Sequence, residues 1–242
     1  MLLCLASSCI ANSPRRIVCL GDSLTACGGA GGRYSDMLQS SLTGYELINS
    51  GVGGDTLGGG LARLEKDVLQ WRPEYVILEL GANDYWQRRR TLLELQKDYE
   101  EIVSRCCQAG AKVLIVSCFG NDKLPDGRRP DWANAGVSLE EYAAGLAIIE
   151  KGLAEKYHCG YVPDMQCGIT PKGNPEQWSD RNHPNAVGNR IVADTILAVS
   201  GNPVQPLRPW LPDSSETARP SATARQSRHP SRWRLYARHL PM

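Results

Sequence analysis

Ile17-Val18-Cys19-Leu20-Gly21-Asp22-Ser23-Leu24-Thr25 sets the frame for the whole chain. An apolar run gives way, with no linker, to Gly-Asp-Ser. A buried strand ending in this way presents the Ser23 hydroxyl at its C-terminal edge, where open α/β sheets bind their ligands. By itself the tripeptide is equally a polar turn after a strand. Its meaning depends on what the remaining chain places beside it.

Other apolar runs follow at regular intervals. Tyr45 to Asn49, Glu74 to Leu80 and Ala111 to Cys118 read as strands, with Gly160-Tyr161-Val162-Pro163 as a weaker fifth. Tyr75 to Leu78 and Val113 to Val116 are continuous rather than alternating, the pattern of strands covered on both faces. Helical periodicity fills the gaps. Tyr34, Met37, Leu38 and Leu42 form one stripe, and Leu61, Leu64 and Val68 form another that stops before Pro73. Thr91 with Glu94, and Ser138 with Glu141, are capping boxes that open two longer helices. A last helix is expected from about Pro184 to Val199, stopping at Gly201. Strands alternating with helices predict a three-layer α/β sandwich around a mostly parallel sheet.

The chain has 242 residues, 42% apolar and 22% charged, which suits one large domain with a two-sided core. We assign residues 15–202 to that domain and 203–242 to a Pro/Ser/Arg-rich tail expected to be disordered. The net charge of +1 conceals +5 in residues 201–242 against −4 in the first 200. A weakly acidic domain gives no argument for a nucleic-acid partner. No stretch reaches the roughly 18–20 apolar residues of a membrane span. Nine scattered cysteines, without a C-x-x-C or a metal-ligand spacing, favour a reducing, cytoplasmic compartment. Residues 1–14 are ambiguous: Ala6-Ser7-Ser8-Cys9 resembles a bacterial lipoprotein cleavage site, which keeps periplasmic export or lipid anchoring as the alternative.

Three further stretches carry chemistry-bearing residues. Asn49-Ser50-Gly51-Val52-Gly53-Gly54-Asp55 is a glycine-rich loop of the kind that brings backbone N–H groups close to an anion. It matches neither the P-loop nor the dinucleotide spacing. Gly81-Ala82-Asn83-Asp84 follows the third strand as Gly-Asp-Ser follows the first, so Asn83 can turn its amide into the same cleft. Trp178-Ser179-Asp180-Arg181-Asn182-His183-Pro184-Asn185 holds one of only four histidines. Pro184 biases His183 away from helical geometry. A turn from Asp180 to His183 can bring the carboxylate to Nδ1 and leave Nε2 facing Ser23. The other three histidines are His158, at the opposite sheet edge, and His229 and His239, in the tail.

Taken together, the four stretches resemble the blocks of the GDSL or SGNH hydrolases, in family order and over roughly residues 15–200. Gly54-Asp55-Thr56 followed by Gly60-Leu61-Ala62-Arg63-Leu64 resembles the thioesterase I and lysophospholipase L1-like esterase branch. The resemblance implies a flavodoxin-like parallel sheet of about five strands and an esterase that needs neither metal nor cofactor. By position it makes Ser23 the nucleophile, His183 the general base and Asp180 its orienting carboxylate. The Ser23 and Gly53 backbone N–H groups and the Asn83 amide would form the oxyanion hole, with Gly51 and Gly54 competing for the place of Gly53. Asp22 and Asp55 are expected to hydrogen-bond within their own loops. The implied substrate is a small-molecule carboxylic ester, with thioesters and lysophospholipids as extensions and carbohydrate O-deacetylation as an alternative. A non-catalytic flavodoxin-like ligand-binding protein is the reading from outside the enzyme class. The segment from Phe119 to Val137 is expected to wall the site. Trp86 with Arg88 to Arg90 lies just past the Asn83 loop; a rim favouring anionic substrates is one reading, and a solvated helix end is the expected role of the arginines.

Overall fold

A computed structural model describes residues 14–87, 91–119, 138–169 and 172–199. The expected tail, the N-terminal segment, Arg88 to Arg90 and nearly all of the Phe119–Val137 wall lie outside the described residues. Strands β1 (Arg15–Gly21), β2 (Tyr45–Gly51), β3 (Tyr75–Glu79), β4 (Lys112–Val116) and β5 (Gly160–Val162) form one sheet in the order β2-β1-β3-β4-β5. Every pairing is parallel. Ile17 to Leu20 of β1 and Val76 to Leu78 of β3 are fully buried, as continuous apolar runs require when helices cover both faces.

The helices are α1 (Ser23–Ala26), α2 (Tyr34–Ser41), α3 (Leu57–Asp67), α4 (Ala82–Gln87), α5 (Leu92–Gln108), α6 (Leu139–Tyr157) and α7 (Ala186–Val199). Helix α2 packs on α7, while α3, α5 and α6 pack in a row. The two sets sandwich the sheet. Both expected capping boxes form: Thr91 Oγ1 accepts from the Glu94 N–H, and Ser138 Oγ accepts from the Glu141 N–H, with each glutamate returning to the cap.

Three elements depart from the sequence expectation. Helix α3 begins at Leu57, capped by Thr56, one turn before the apolar stripe. Three consecutive glycines, poor helix formers, hide that turn. Gly60 is there for packing, because a Cβ would lie 2.4 Å from Leu80 Cδ1. Helices α1 and α4 replace what read as a polar turn and a loop. At four and six residues they are too short for periodicity to register. Each begins within three residues of its strand's end, so each helix start lies at the C-terminal edge of the sheet.

Strand order reverses between β1 and β3, since the chain leaves β1 for β2 on one side and returns to β3 on the other. Open α/β sheets bind ligands at such a switch point. Gly21, Gly51 and Glu79 end their strands in one row across it.

Candidate active site

Ser23 is the first residue of α1, directly after β1. Asp22 caps the helix, its Oδ1 accepting from the Leu24 N–H at 2.8 Å. The Ser23 N–H belongs to the first turn, whose donors have no partner within the helix. A cavity of about 460 Å³ opens above it, lined by Ser23, Gly53, Asn83 and His183 among others. Residues from all four sequence blocks therefore meet in one pocket. The Ser23 and His183 side chains share its wall with no hydrogen bond between them among the described residues, a spacing common in hydrolases without substrate.

His183 is fixed by its own turn. Its Nδ1 lies 2.8 Å from Asp180 Oδ2 and 3.0 Å from Oδ1. Asp180 Oδ1 also accepts the backbone N–H groups of Asn182 (2.7 Å) and His183 (2.9 Å). Those N–H bonds, Asn182 foremost, and the imidazole hold the Asp180 carboxyl below its usual range. The turn closes through a Trp178–Pro184 bridge and the Ser179 N–H to His183 carbonyl bond. It is tied to the serine side of the sheet by the Cys27 thiol, 3.6 Å from the Pro184 carbonyl, and by Asn189, whose amide donates to the Cys27 and Gly32 carbonyls.

The glycine loop sorts itself by packing. A Cβ on Gly51 would lie 2.6 Å from the Ala26 nitrogen and 2.8 Å from the Thr25 carbonyl carbon. Gly51 is thus needed for close approach of β2 to α1, and it does not line the cavity. Gly53 and Gly54 do. Gly54 adopts a left-handed φ of 77°, while its carbonyl accepts from the Gln87 amide.

Asn83 sits in the first turn of α4. Its Nδ2 donates to Asp22 Oδ2 at 2.9 Å and to the Asp55 carbonyl at 3.0 Å. Both amide hydrogens are engaged. Asp22 and Asp55 accordingly reach beyond their own loops, which differs from the sequence expectation. Asp55 accepts from the Thr56 N–H and pairs with Arg63 at 2.7 Å.

Arg63, Glu79, Gln166 and Lys172 escaped the sequence reading. Arg63, on α3, bonds Asp55, Asp67 and the Ser50 and Gly21 carbonyls. It clamps the glycine loop to the end of β1. Its only local signal was the i,i+4 spacing to Asp67 on the same helix. Glu79 is a charged residue closing a continuous apolar run, a buried polar group that demands an explanation. Gln166 and Lys172 line the cavity with Asn182, opposite in character to the apolar Leu24, Ala82, Trp86, Phe119 and Leu139. Nothing in their neighbourhood of sequence marked them. Behind the apolar part, Tyr85 stacks edgewise on Trp86 and tilts against Tyr142, which Phe119 also meets edge-on.

Fold and site together define an esterase of the GDSL type. The chain belongs to the GDSL-like lipase/acylhydrolase family, whose model matches residues 19–191. It is 29% identical over 149 residues to the esterase TesA of Pseudomonas aeruginosa, covering 57% of this chain and 72% of that one. An acetylxylan esterase of Geobacillus stearothermophilus is 28% identical over 223 residues, covering 78% and 95%. The crystal structure of TesA superimposes with a TM-score of 0.64 at 22% identity, over 77% of this chain and 98% of that one. Membership in an esterase family sets aside the non-catalytic reading. No helix among the described residues is long and apolar enough to cross a membrane.

Proposed function

We propose that the protein hydrolyses carboxylic esters through an acyl-enzyme on Ser23. His183 takes the serine proton as the hydroxyl attacks the ester carbonyl, then returns it to the leaving alkoxide. Asp180 holds the imidazole in the tautomer whose Nε2 faces Ser23 and stabilises the imidazolium that forms. Water then repeats the sequence on the acyl-enzyme. The observation that carries this reading is the paired Asp180 contact to His183 Nδ1, in a turn whose histidine shares a cavity with a serine at a strand's C-terminal edge.

The oxyanion donors are the Ser23 and Gly53 N–H groups and the Asn83 amide. Gly53 is preferred over Gly51 because Gly51 is consumed by packing. Asn83 joins the set by turning one hydrogen from the Asp55 carbonyl to the developing oxyanion while keeping the other on Asp22. Each such donor stabilises the transition state by about 2.7–4 kcal/mol.

Since His183 protonates the leaving group, the alcohol leaves along the wall of Asn182, Lys172 and Gln166. The acyl group then takes the apolar side at Trp86, Phe119 and Leu139. That division supports esters of short acyl or aryl acids with polar alcohols. Sugar O-acetates are the second reading, favoured by the polar wall and by the acetylxylan esterase relative.

The test is a panel of p-nitrophenyl esters of increasing acyl length, acyl thioesters, lysophospholipids and acetylated xylo-oligosaccharides, each run with Ser23→Ala and with organophosphonate labelling. Hydrolysis and labelling that vanish in Ser23→Ala support the reading. Activity unchanged in that variant overturns it.

A further inference from the structure

Two carboxyl groups meet beneath the Ser23 turn. Glu79, the last residue of β3, is fully buried. Its Oε2 accepts from Thr25 Oγ1 at 2.9 Å and from the Asp22 N–H at 3.3 Å, while its Oε1 meets no protein donor among the described residues. Asp22, 1% exposed, accepts from the Leu24 N–H on Oδ1 and from the Asn83 amide on Oδ2. The two carboxyls are neighbours through the Asp22 N–H bond to Glu79, and no ion pair reaches either one among the described residues.

Two neighbouring buried carboxyls with no cation beside them are not both ionised, so one of them carries a proton. The donor count says which. Asp22 receives two N–H donors, one on each oxygen, an arrangement suited to negative charge. Glu79, fully buried, keeps one oxygen without a protein donor among the described residues, where an isolated charge is costly. Burial and the neighbouring Asp22 charge push the Glu79 carboxyl well above its usual range, whereas Asp22 rises under burial only to about 6. The network continues outward, with Thr25 Oγ1 lying 3.1 Å from the Tyr34 hydroxyl. It also accounts for Gly21, where a Cβ would sit 2.0 Å from Thr25 Oγ1.

We infer that Glu79 is a neutral carboxylic acid whose Oε2, by holding the Asp22 N–H and the Thr25 hydroxyl, fixes Asp22 and thereby positions the Asn83 amide for the oxyanion. Glu79 is a positioning residue: it lies behind Asp22 and touches no reacting atom. The inference rests on Asn83 acting as an oxyanion donor, as proposed above. Asp22 is the hinge between the two roles, since one of its oxygens caps the nucleophile's helix and the other holds the donor. A single buried, neutral carboxyl thus supports both.

Infrared difference spectroscopy of the wild type against Glu79→Gln at neutral pH reads the proton directly, without reference to activity. The expected result is a carbonyl stretch of a buried, protonated carboxylic acid that the variant lacks. In steady-state kinetics Glu79→Ala should lower kcat by about tenfold or more with little change in KM, the pattern of a lost transition-state interaction. Glu79→Gln, neutral and still able to accept from the Thr25 hydroxyl and the Asp22 N–H, should restore kcat to within about threefold of the wild type. Absence of the band, or a Gln variant as slow as the Ala variant, overturns the inference. If Glu79→Ala does not fold, the band and the Gln variant still decide. Organophosphonate labelling of Ser23 in the same preparations tests the hydrolase reading separately, because labelling can fail while the band persists.

Discussion

Asn83 Nδ2 lies 2.9 Å from Asp22 Oδ2, joining residues 61 apart in the chain across the gap between β1 and β3. The bond ties the cap of the serine's helix to the amide that faces the cavity. Asn83→Ala should therefore lower kcat by about 10²–10³-fold, the usual effect of losing one oxyanion donor, while KM changes little. Asn83→Asp should be no better, because it sets a carboxylate against Asp22 and the oxyanion. Single-turnover acylation with a p-nitrophenyl ester checks both, and a kcat within threefold of wild type for Asn83→Ala would remove Asn83 from the proposed site.

Asp180 is held by backbone donors as well as by His183, so its replacement by Asn should leave the turn folded but present the wrong hydrogen-bonding partner to Nδ1. The expected loss in kcat is about 10³–10⁴-fold with unchanged thermal stability. An Asp180→Asn variant with near wild-type kcat would show that His183 is oriented by something else.

Arg63 is mostly buried and serves four acceptors, two of them carbonyls that end β1 and β2. Arg63→Ala should destabilise the fold by about 3 kcal/mol, because it strips the partly buried Asp55 carboxylate of its cation and both carbonyls of a charged donor. Arg63→Lys should recover only part of this, lacking the planar fork that reaches several acceptors at once. Thermal melts of the three proteins make the comparison, and a Lys variant equal to wild type would contradict the clamp.

The glycines of the second block should separate by assay. Gly51→Ala drives a Cβ into backbone atoms of α1 and is expected to cost about 1–3 kcal/mol of stability. Gly53→Ala meets nothing within 4 Å and should melt as the wild type does. Equal melting temperatures for both variants would show that the loop can shift, and would reopen the choice of oxyanion donor.

Glu150, on α6, is fully buried, and burial raises its carboxyl from 4.5 to about 8 against opposing bonds from Ser117, Tyr161 and Tyr99. Between those two pH values the folded state binds more protons than the unfolded state. Stability attributable to this group therefore falls as pH rises through the window and levels off above it. Glu150→Gln should leave stability unchanged at the acid end and raise it by a few kcal/mol at the alkaline end. Denaturant melts across the window test this; parallel curves for variant and wild type would refute it.

The sequence by itself determined the parallel α/β class, four of the five strands firmly, the capped starts of α5 and α6, and the four blocks that the cavity gathers. These are local properties: burial on both faces writes a continuous apolar run, a capping box spans four residues, and Asp180 meets His183 within one turn. It did not determine the helices at Ser23 and Asn83, which are too short to carry a period. Nor did it reveal that Arg63 reaches the Gly21 carbonyl, or that Asp22 meets Glu79 and Asn83, pairings 42 to 61 residues apart. Those pairings arise only when the crossovers set β1 between β2 and β3 and bring three strand ends into one row. The sheet's register, which no single segment encodes, decided that a glutamate closing an apolar strand would face the aspartate beside the serine.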